Sequence, residues 1–228
     1  MQSLGDQSKQ SGRPQAIPTS AVNVSPWARG RAKHAADLLF GAVVAVVSLP
    51  LILLLCVGSA LAFRSWPIFR QNRLGLDGRT FSFIKVRSLP NDVPADIDKY
   101  HLRDHSSSRW GQFIRGKHLD ELPQAWLLVT GRMSLVGPRP EMPSLSATYD
   151  PAFVRERTRV RPGITGPWQI SPDCAGLIGE SPQYDLFYLE AASPALDLWI
   201  MWRTMLGVFG AQPRGLAEYP QRFKQKSA

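Results

Sequence analysis

Cysteine is nearly missing from this chain, which has only Cys56 inside an apolar run and Cys174 in a downstream loop. Two such residues supply neither a disulfide framework nor a thiolate metal cluster, and they place the polar part of the chain in the cytosol. No internal repeat is visible. There is also no recognition-helix pattern, zinc spacing or interleaved basic-aromatic strand motif, so nucleic acid is not expected as a partner. A cleavable leader is not expected either. Ser59-Ala60-Leu61-Ala62 has the small residues of a cleavage site, but the apolar stretch before it far exceeds an h-region of ~7–15 residues. Acidic residues are the scarce charge: Lys+Arg number 27 against 18 Asp+Glu, a formal net charge of +9. Anionic lipid or phosphate is the natural counterpart of that excess.

What the chain does have is an apolar run. Residues 38–63 carry no charge over about 26 positions, ~39 Å of straight helix and enough to cross a bilayer. Arg29, Arg31, Lys33 and His34 precede it, Arg64, Arg70 and Arg73 follow it, and Pro50 stands in its middle. A spanning helix cannot meet the positive-inside bias at both ends, whereas a helix broken at Pro50 enters one leaflet and returns to the same face. Ser48 is placed to bond a carbonyl freed by the proline, and Asp37, one turn beyond Lys33, to pair with that lysine at headgroup level. The alternative is an ordinary kinked transmembrane helix.

The expected fold class is α+β. A disordered tail over 1–30, rich in Ser, Gln, Gly and Pro, leads to a re-entrant membrane helix over 33–64. One compact, mainly helical domain follows over 66–210, with a small β-hairpin and interfacial amphipathic helices, and a basic tail over 211–228 ends the chain. Gly75-Leu76-Asp77-Gly78 predicts the hairpin turn between strands at 68–74 and 79–87, where Phe81 and Phe83 alternate with polar residues. In 195–209, Leu196, Trp199, Ile200, Trp202, Met205 and Leu206 form a broad apolar face that suits an interfacial helix or a core helix.

Chemistry concentrates in 117–141, KHLDELPQAWLLVTGRMSLVGPRPE. Asp120 reads as a helix N-cap, Pro123 fits the first turn, and Leu122, Trp126, Leu127 and Val129 supply a buried stripe. The N–H groups of such a helix start can hold a phosphate oxygen and keep Asp120 ionised, as a carboxylate nucleophile requires. The same acids serve equally well as a structural cap. Arg139, locked between Pro138 and Pro140, and Arg161 of Arg161-Pro162-Gly163 suit bidentate phosphate contacts or plain surface turns.

FRQNRLG, IKVRSL, HLDELPQ, GRMSLVGPRPE and RVRPGITGPWQ occur in that order, after a basic lead with Asp37 and a proline-broken apolar run. Over 33–210 the chain resembles the bacterial sugar transferase family, the small monotopic phosphoglycosyl transferases. Several motifs in fixed order are far more specific than any one of them. The resemblance implies that Asp120 attacks the β-phosphate of a UDP-sugar, releases UMP and carries a phosphosugar. Polyprenol phosphate in the membrane then takes that group, in the initiating step of a glycan pathway. It further implies Mg²⁺ at Asp120 and Glu121, and substrate contacts from Arg70, Arg73, Lys85, Arg87, Arg139, Glu141 and Arg161. The re-entrant hairpin is carried by Asp37, Ser48 and Pro50. The implied setting is the cytoplasmic face of the bacterial inner membrane, among membrane lipid, with a homodimer as one arrangement.

Three departures stand out. Leu49 precedes Pro50 where the family commonly has serine, and Pro172 to Leu177 replaces a Gly-Arg and polar stretch. Residues 173–179 are therefore expected to shape the sugar pocket. The large multi-span region of longer members has no counterpart here, so the chain resembles the minimal catalytic form. The sugar itself stays open among glucose, galactose and acetamido sugars. A competing reading takes Asp96-Ile97-Asp98 as the metal site of a nucleotide-sugar glycosyltransferase, and another makes the chain a basic membrane-anchored scaffold. Release of UMP, release of UDP and no donor consumption distinguish the three.

Overall fold

The computed structural model describes residues 22–93 and 108–224. The apolar run forms one 33-residue helix, α1 (Arg31–Phe63), with Pro50 inside it. Among the described residues it is the one helix long and apolar enough to cross a membrane. Its buried residues, Lys33, Asp37, Gly41, Ala45, Ser48, Ile52, Leu55 and Ser59, recur every three or four positions and so form one stripe. Away from this stripe many apolar residues, including Leu39, Val47, Leu54 and Leu61, are exposed. Gly41 permits close approach to α3 (Ala125–Val129), because a Cβ there would strike Leu128.

Three expectations for α1 need correction. The helix runs on through Pro50, so the break expected at that residue is absent. Ser48 donates to the Val44 carbonyl at 2.6 Å, one turn back, and not to the Val46 carbonyl that Pro50 leaves without a donor. Lys33 and Asp37 do not pair. Both lie on the stripe facing the domain, where Lys33 Nζ meets Asp197 at 2.6 Å and Asp37 accepts the Leu135 N–H at 3.0 Å.

Strands β1 (Ile68–Leu74) and β2 (Thr80–Val86) pair antiparallel with Leu74 opposite Thr80, as the turn signal predicts. Asp77 and Gly78, at φ 53° and 71°, make the left-handed turn. Phe69, Gln71 and Arg73 stand opposite Lys85, Phe83 and Phe81, so all six share one face of the pleat. Buried Phe81 and Phe83 pack there against Leu127, Leu128 and Met133. Helix α2 (Arg109–Gly116) follows, its first turn capped by Ser108, whose hydroxyl accepts the Gly111 N–H at 3.1 Å. After α3, β3 (Ser134–Val136) pairs in parallel with β4 (Gly163–Thr165), a sheet absent from the sequence-based expectation. Between them lie α4 (Pro143–Ser146) and α5 (Pro151–Arg157), and beyond them α6 (Gln183–Ala191), α7 (Pro194–Val208) and α8 (Gln221–Lys224). The α+β class holds.

The main core joins Val136 and Val160 to Tyr188, Leu189, Leu196 and Ile200. The described parts of both segments expected as tails, 22–30 and 211–224, contribute to it, and the remainder of each lies outside the described residues. Val22 and Ala28 are buried, and the Ser25 N–H donates to the Leu189 carbonyl at 2.7 Å. At the other end Tyr219 and Phe223 stack beside Trp199, with ring centroids 4.4 and 5.9 Å away. Composition marked these stretches as polar, but a few apolar anchors suffice to dock them. Helix α7 is a core helix on one face, where Leu196 and Ile200 are fully buried, and leaves Leu198, Trp202, Met205 and Val208 exposed on the other.

A buried polar junction ties these parts together. Asp197 accepts from Lys33 and, at 2.8 Å, from the Trp27 indole N–H. The Tyr188 hydroxyl lies 2.8 Å from both Asp197 and the Val136 carbonyl, so its single proton serves two acceptors. Replacing Lys33 by methionine leaves the Asp197 carboxylate buried without its cation, with an expected cost of about 3–5 kcal/mol. Chemical unfolding of the detergent-solubilised chain measures this.

Candidate active site

The HLDELPQ motif is not an α-helix start. His118, at φ 54°, turns the chain, and Leu119–Gln124 forms a 3-10 turn before α3 begins. Pro123 has no N–H to donate to the Leu119 carbonyl, so an α-helix cannot run through. Asp120 therefore sits inside the turn, where its carboxylate accepts from its own backbone N–H, and no long helix end supports its charge. Of the expected apolar stripe, Leu127 is buried and Trp126 faces outward, 40% exposed, while Leu128 takes the inward place.

Asp120 is buried beneath the hairpin, where its Oδ2 accepts from the Ser88 hydroxyl at 3.3 Å. Burial pushes its carboxyl above the ordinary range; the Lys85 ammonium pulls it back, Glu121 pushes it up again, and Ser88 lowers it. Lys85 is itself pushed down by burial and supported by Asp120 and Glu121. Its ammonium also lies 5.3 Å from the Phe69 ring centre. Ionisation of Asp120 thus depends on a neighbouring cation rather than on a helix dipole.

The antiparallel register selects among the expected cations. Arg73 shares the face of Lys85, donates to the Pro140 carbonyl at 3.2 Å, and lies 5.5 Å from the Phe83 ring centre. Burial pushes its guanidinium down to about 10, Arg139 adds to this, and Glu141 and Glu121 oppose it. Arg139, Glu141, Arg73, Lys85, Asp120 and Glu121 therefore form one interacting group. Of the other expected cations, Arg70 and Arg161 lie apart from it, while Arg87 stands at its edge, its guanidinium 6.0 Å from the Phe69 ring that Lys85 also covers. Arg70 is exposed on the opposite face of β1, because its immediate neighbours Phe69 and Gln71 point inward. Arg87 braces the hairpin base through the Trp66 carbonyl at 2.9 Å. Arg161 is held by the Gly131 carbonyl at 3.0 Å.

The Pro138-Arg139-Pro140 clip lacks an N–H at both prolines, so its carbonyls fix it. The Gly163 N–H takes Pro138, Arg157 Nη2 takes Arg139 at 2.7 Å, Arg73 takes Pro140, and the Leu74 N–H takes Glu141. Arg139 then leans over Trp168, 6.0 Å from its ring centre, and 3.9 Å from Glu141. Beside it Tyr149 packs against Gly179 of the 173–179 loop, and the Tyr184 hydroxyl holds Asp173 at 2.8 Å.

Sequence reasoning named neither Ser88 nor Arg157 as a site residue. Ser88 sits in the quoted IKVRSL stretch, but only the fold brings it to Asp120. The signal for Arg157 was Asp185, an acid buried in α6 that requires a cation. Among the described residues no group of three or more His, Cys, Asp and Glu side chains could by itself hold a metal ion. Two adjacent carboxylates remain, the donor set that Mg²⁺ uses when substrate phosphates complete its shell. Asp96 and Asp98 lie outside the described residues.

A family model described as bacterial sugar transferase matches residues 28–211. A UDP-glucose:undecaprenyl-phosphate glucose-1-phosphate transferase of Xanthomonas campestris pv. campestris is 37% identical over 183 residues, 74% of this chain and 37% of that protein. A UDP-N-acetylgalactosamine-undecaprenyl-phosphate N-acetylgalactosaminephosphotransferase of Aeromonas hydrophila is 32% identical over 189 residues, covering 79% of this chain and 45% of the relative. The exopolysaccharide production protein ExoY of Rhizobium meliloti (strain 1021) is 28% identical over 208 residues, 84% of this chain and 91% of ExoY. The chain belongs to the bacterial sugar transferase family. It spans less than half the length of the first two of these relatives.

The raised carboxyl of Asp120 has a consequence for stability. A group that binds its proton more tightly when folded favours folding most below its unfolded pKa of ~3.9, and loses that advantage as pH rises through the folded value. At neutral pH ionised Asp120 therefore works against the fold. Asp120→Asn is expected to raise the melting temperature at pH 7, with the difference closing in acid. Thermal scans across pH check both sign and trend.

Proposed function

We propose that this chain transfers a sugar-1-phosphate from a UDP-sugar to polyprenol phosphate through a phosphosugar carried on Asp120. The observation that supports it is a buried carboxylate beside Lys85, which in turn feels the cations Arg73 and Arg139, within the residues matched by the family model. Asp120 Oδ forms a bond to the β-phosphorus, the bond from that phosphorus to the bridging oxygen breaks, and UMP leaves with that oxygen. A polyprenol phosphate oxygen then attacks the same phosphorus, and its bond to Asp120 breaks to restore the carboxylate. Lys85, Arg73 and Arg139 balance the diphosphate charge. Asp120 and Glu121 are the residues that would hold Mg²⁺, which supplies further neutralisation of the phosphates. The 173–179 loop, beside Tyr149 and within reach of the clip, is the proposed sugar-selective wall.

Incubation with a panel of UDP-sugars and Mg²⁺, without lipid acceptor, is expected to leave a phosphosugar mass on the peptide containing Asp120. Asp120→Asn should lose that mass and on the order of 10⁴-fold in turnover. Normal UMP release from this variant would sink the mechanism.

The same reading places the chain on the cytoplasmic face of the bacterial inner membrane, with both ends of α1 on that face rather than on opposite sides. Its support is that both ends of α1 are tied to one domain: Lys33 to Asp197 at one end, and at the other Ser59, which donates to the Arg87 carbonyl at 2.8 Å and accepts from Trp110. A span that put these ends on opposite sides would draw the polar hairpin into hydrocarbon. The exposed apolar residues of α1, together with Trp66, Phe113, Trp126 and the outer face of α7, supply the lipid-facing surface. A thiol near Gln15 and one near Asn91 should both resist impermeant labelling from outside intact cells. Labelling of the first alone would indicate a span, the outcome expected to gain ground in Pro50→Leu.

A further inference from the structure

Arg157 is buried with Asp185, their side chains 3% and 1% exposed, and its Nε meets the carboxylate at 2.8 Å. Such a pair is a poor source of stability, because removing both charges from water offsets their attraction. This one is incompletely compensated as well: the second oxygen of Asp185 has no hydrogen-bond partner. What the pair does achieve is orientation. With Nε fixed by Asp185, the planar guanidinium directs Nη2 to the Arg139 carbonyl at 2.7 Å. The nitrogen of that same peptide belongs to Pro140 and carries no hydrogen, so the peptide plane can be held only through its carbonyl. The Arg139 side chain beyond it remains 39% exposed and leans over Trp168.

We infer that Arg157, braced by Asp185, is a positioning residue that aims Arg139 at the diphosphate of the nucleotide donor. The inference rests on the transferase reading above, in which Arg139 contacts that diphosphate. Arg157 itself touches no substrate. Its fork converts the buried Asp185 charge into a fixed backbone direction at the clip, and a lysine, with a point charge and no fork, cannot serve both partners.

The test is a double-mutant cycle read by titration calorimetry, with UDP as the probe, on the full chain in detergent with Mg²⁺. Arg157→Lys is expected to weaken UDP binding about tenfold, the loss of one charge-assisted hydrogen bond acting through Arg139. In an Arg139→Ala background the same change should cost less than about twofold, because the residue it positions is gone. The paired change Arg157→Met with Asp185→Leu replaces the ion pair by apolar groups of similar volume, so it should keep the melting temperature while still weakening UDP. Full additivity in the cycle, or unchanged UDP affinity in the folded apolar pair, overturns the inference. So does loss of folding in both Arg157 variants, which would assign the pair to structure alone. The two readings fail separately. A wild-type chain that binds no UDP and forms no adduct removes the transferase reading and this one with it. One that binds UDP and forms the adduct, but shows an additive cycle, removes only the positioning role.

Discussion

Asp197 is the point from which the rest of the structure can be traced. Its carboxylate is buried, and three donors from separate parts of the chain converge on it: Lys33 of the apolar helix, Trp27 of the preceding segment and Tyr188 of α6. A buried charge requires such partners, and satisfying them brings distant segments together. Tyr188 also reaches the Val136 carbonyl, and Val136 is followed directly by Gly137 and the proline clip. The setting of the apolar helix and that of the clip thus meet in one polar junction.

The same physics operates with different purpose at Asp120. There burial leaves the carboxyl above its ordinary range despite Lys85 and Ser88. A fully compensated carboxylate would be stable and inert. One held by a single cation, a hydroxyl and its own backbone N–H costs stability, which is the relation expected of the nucleophile proposed above. Arg157 and Asp185 are a third variation, a pair whose value lies in direction.

Local features were legible where a local rule decides them. The turn at 75–78 gave the hairpin because Gly and Asp tolerate left-handed backbone there, and the alternation around Phe81 and Phe83 set its buried face. The charge-free run gave the long helix. The helix start at Asp120 was misread because Pro123 has two local meanings, a first-turn residue or a barrier to α-helix, and only the left-handed His118 selects the second. The pairing of Lys33 with Asp37 was misread because helical spacing offers a partner one turn away, whereas Asp197, far along the chain, offers a buried one.

By itself the sequence determined which residues can do chemistry and in what order they come: an acid pair, a proline-locked arginine, basic strands and an apolar run with cations at both ends. It could do so because residue type, spacing and backbone restriction are properties of neighbours along the chain. Tertiary structure alone decided which cations meet the acids. Lys85 and Arg73 do and Arg70 does not, because strand register assigns faces across a turn. It also decided that Ser88 and Arg157 belong to the site, since their hydrogen bonds join Ser88 to Asp120 and Arg157 to Arg139 across the fold. Burial is a property of the assembled chain, and burial turns an ordinary carboxylate at position 120 into one whose charge depends on what stands beside it.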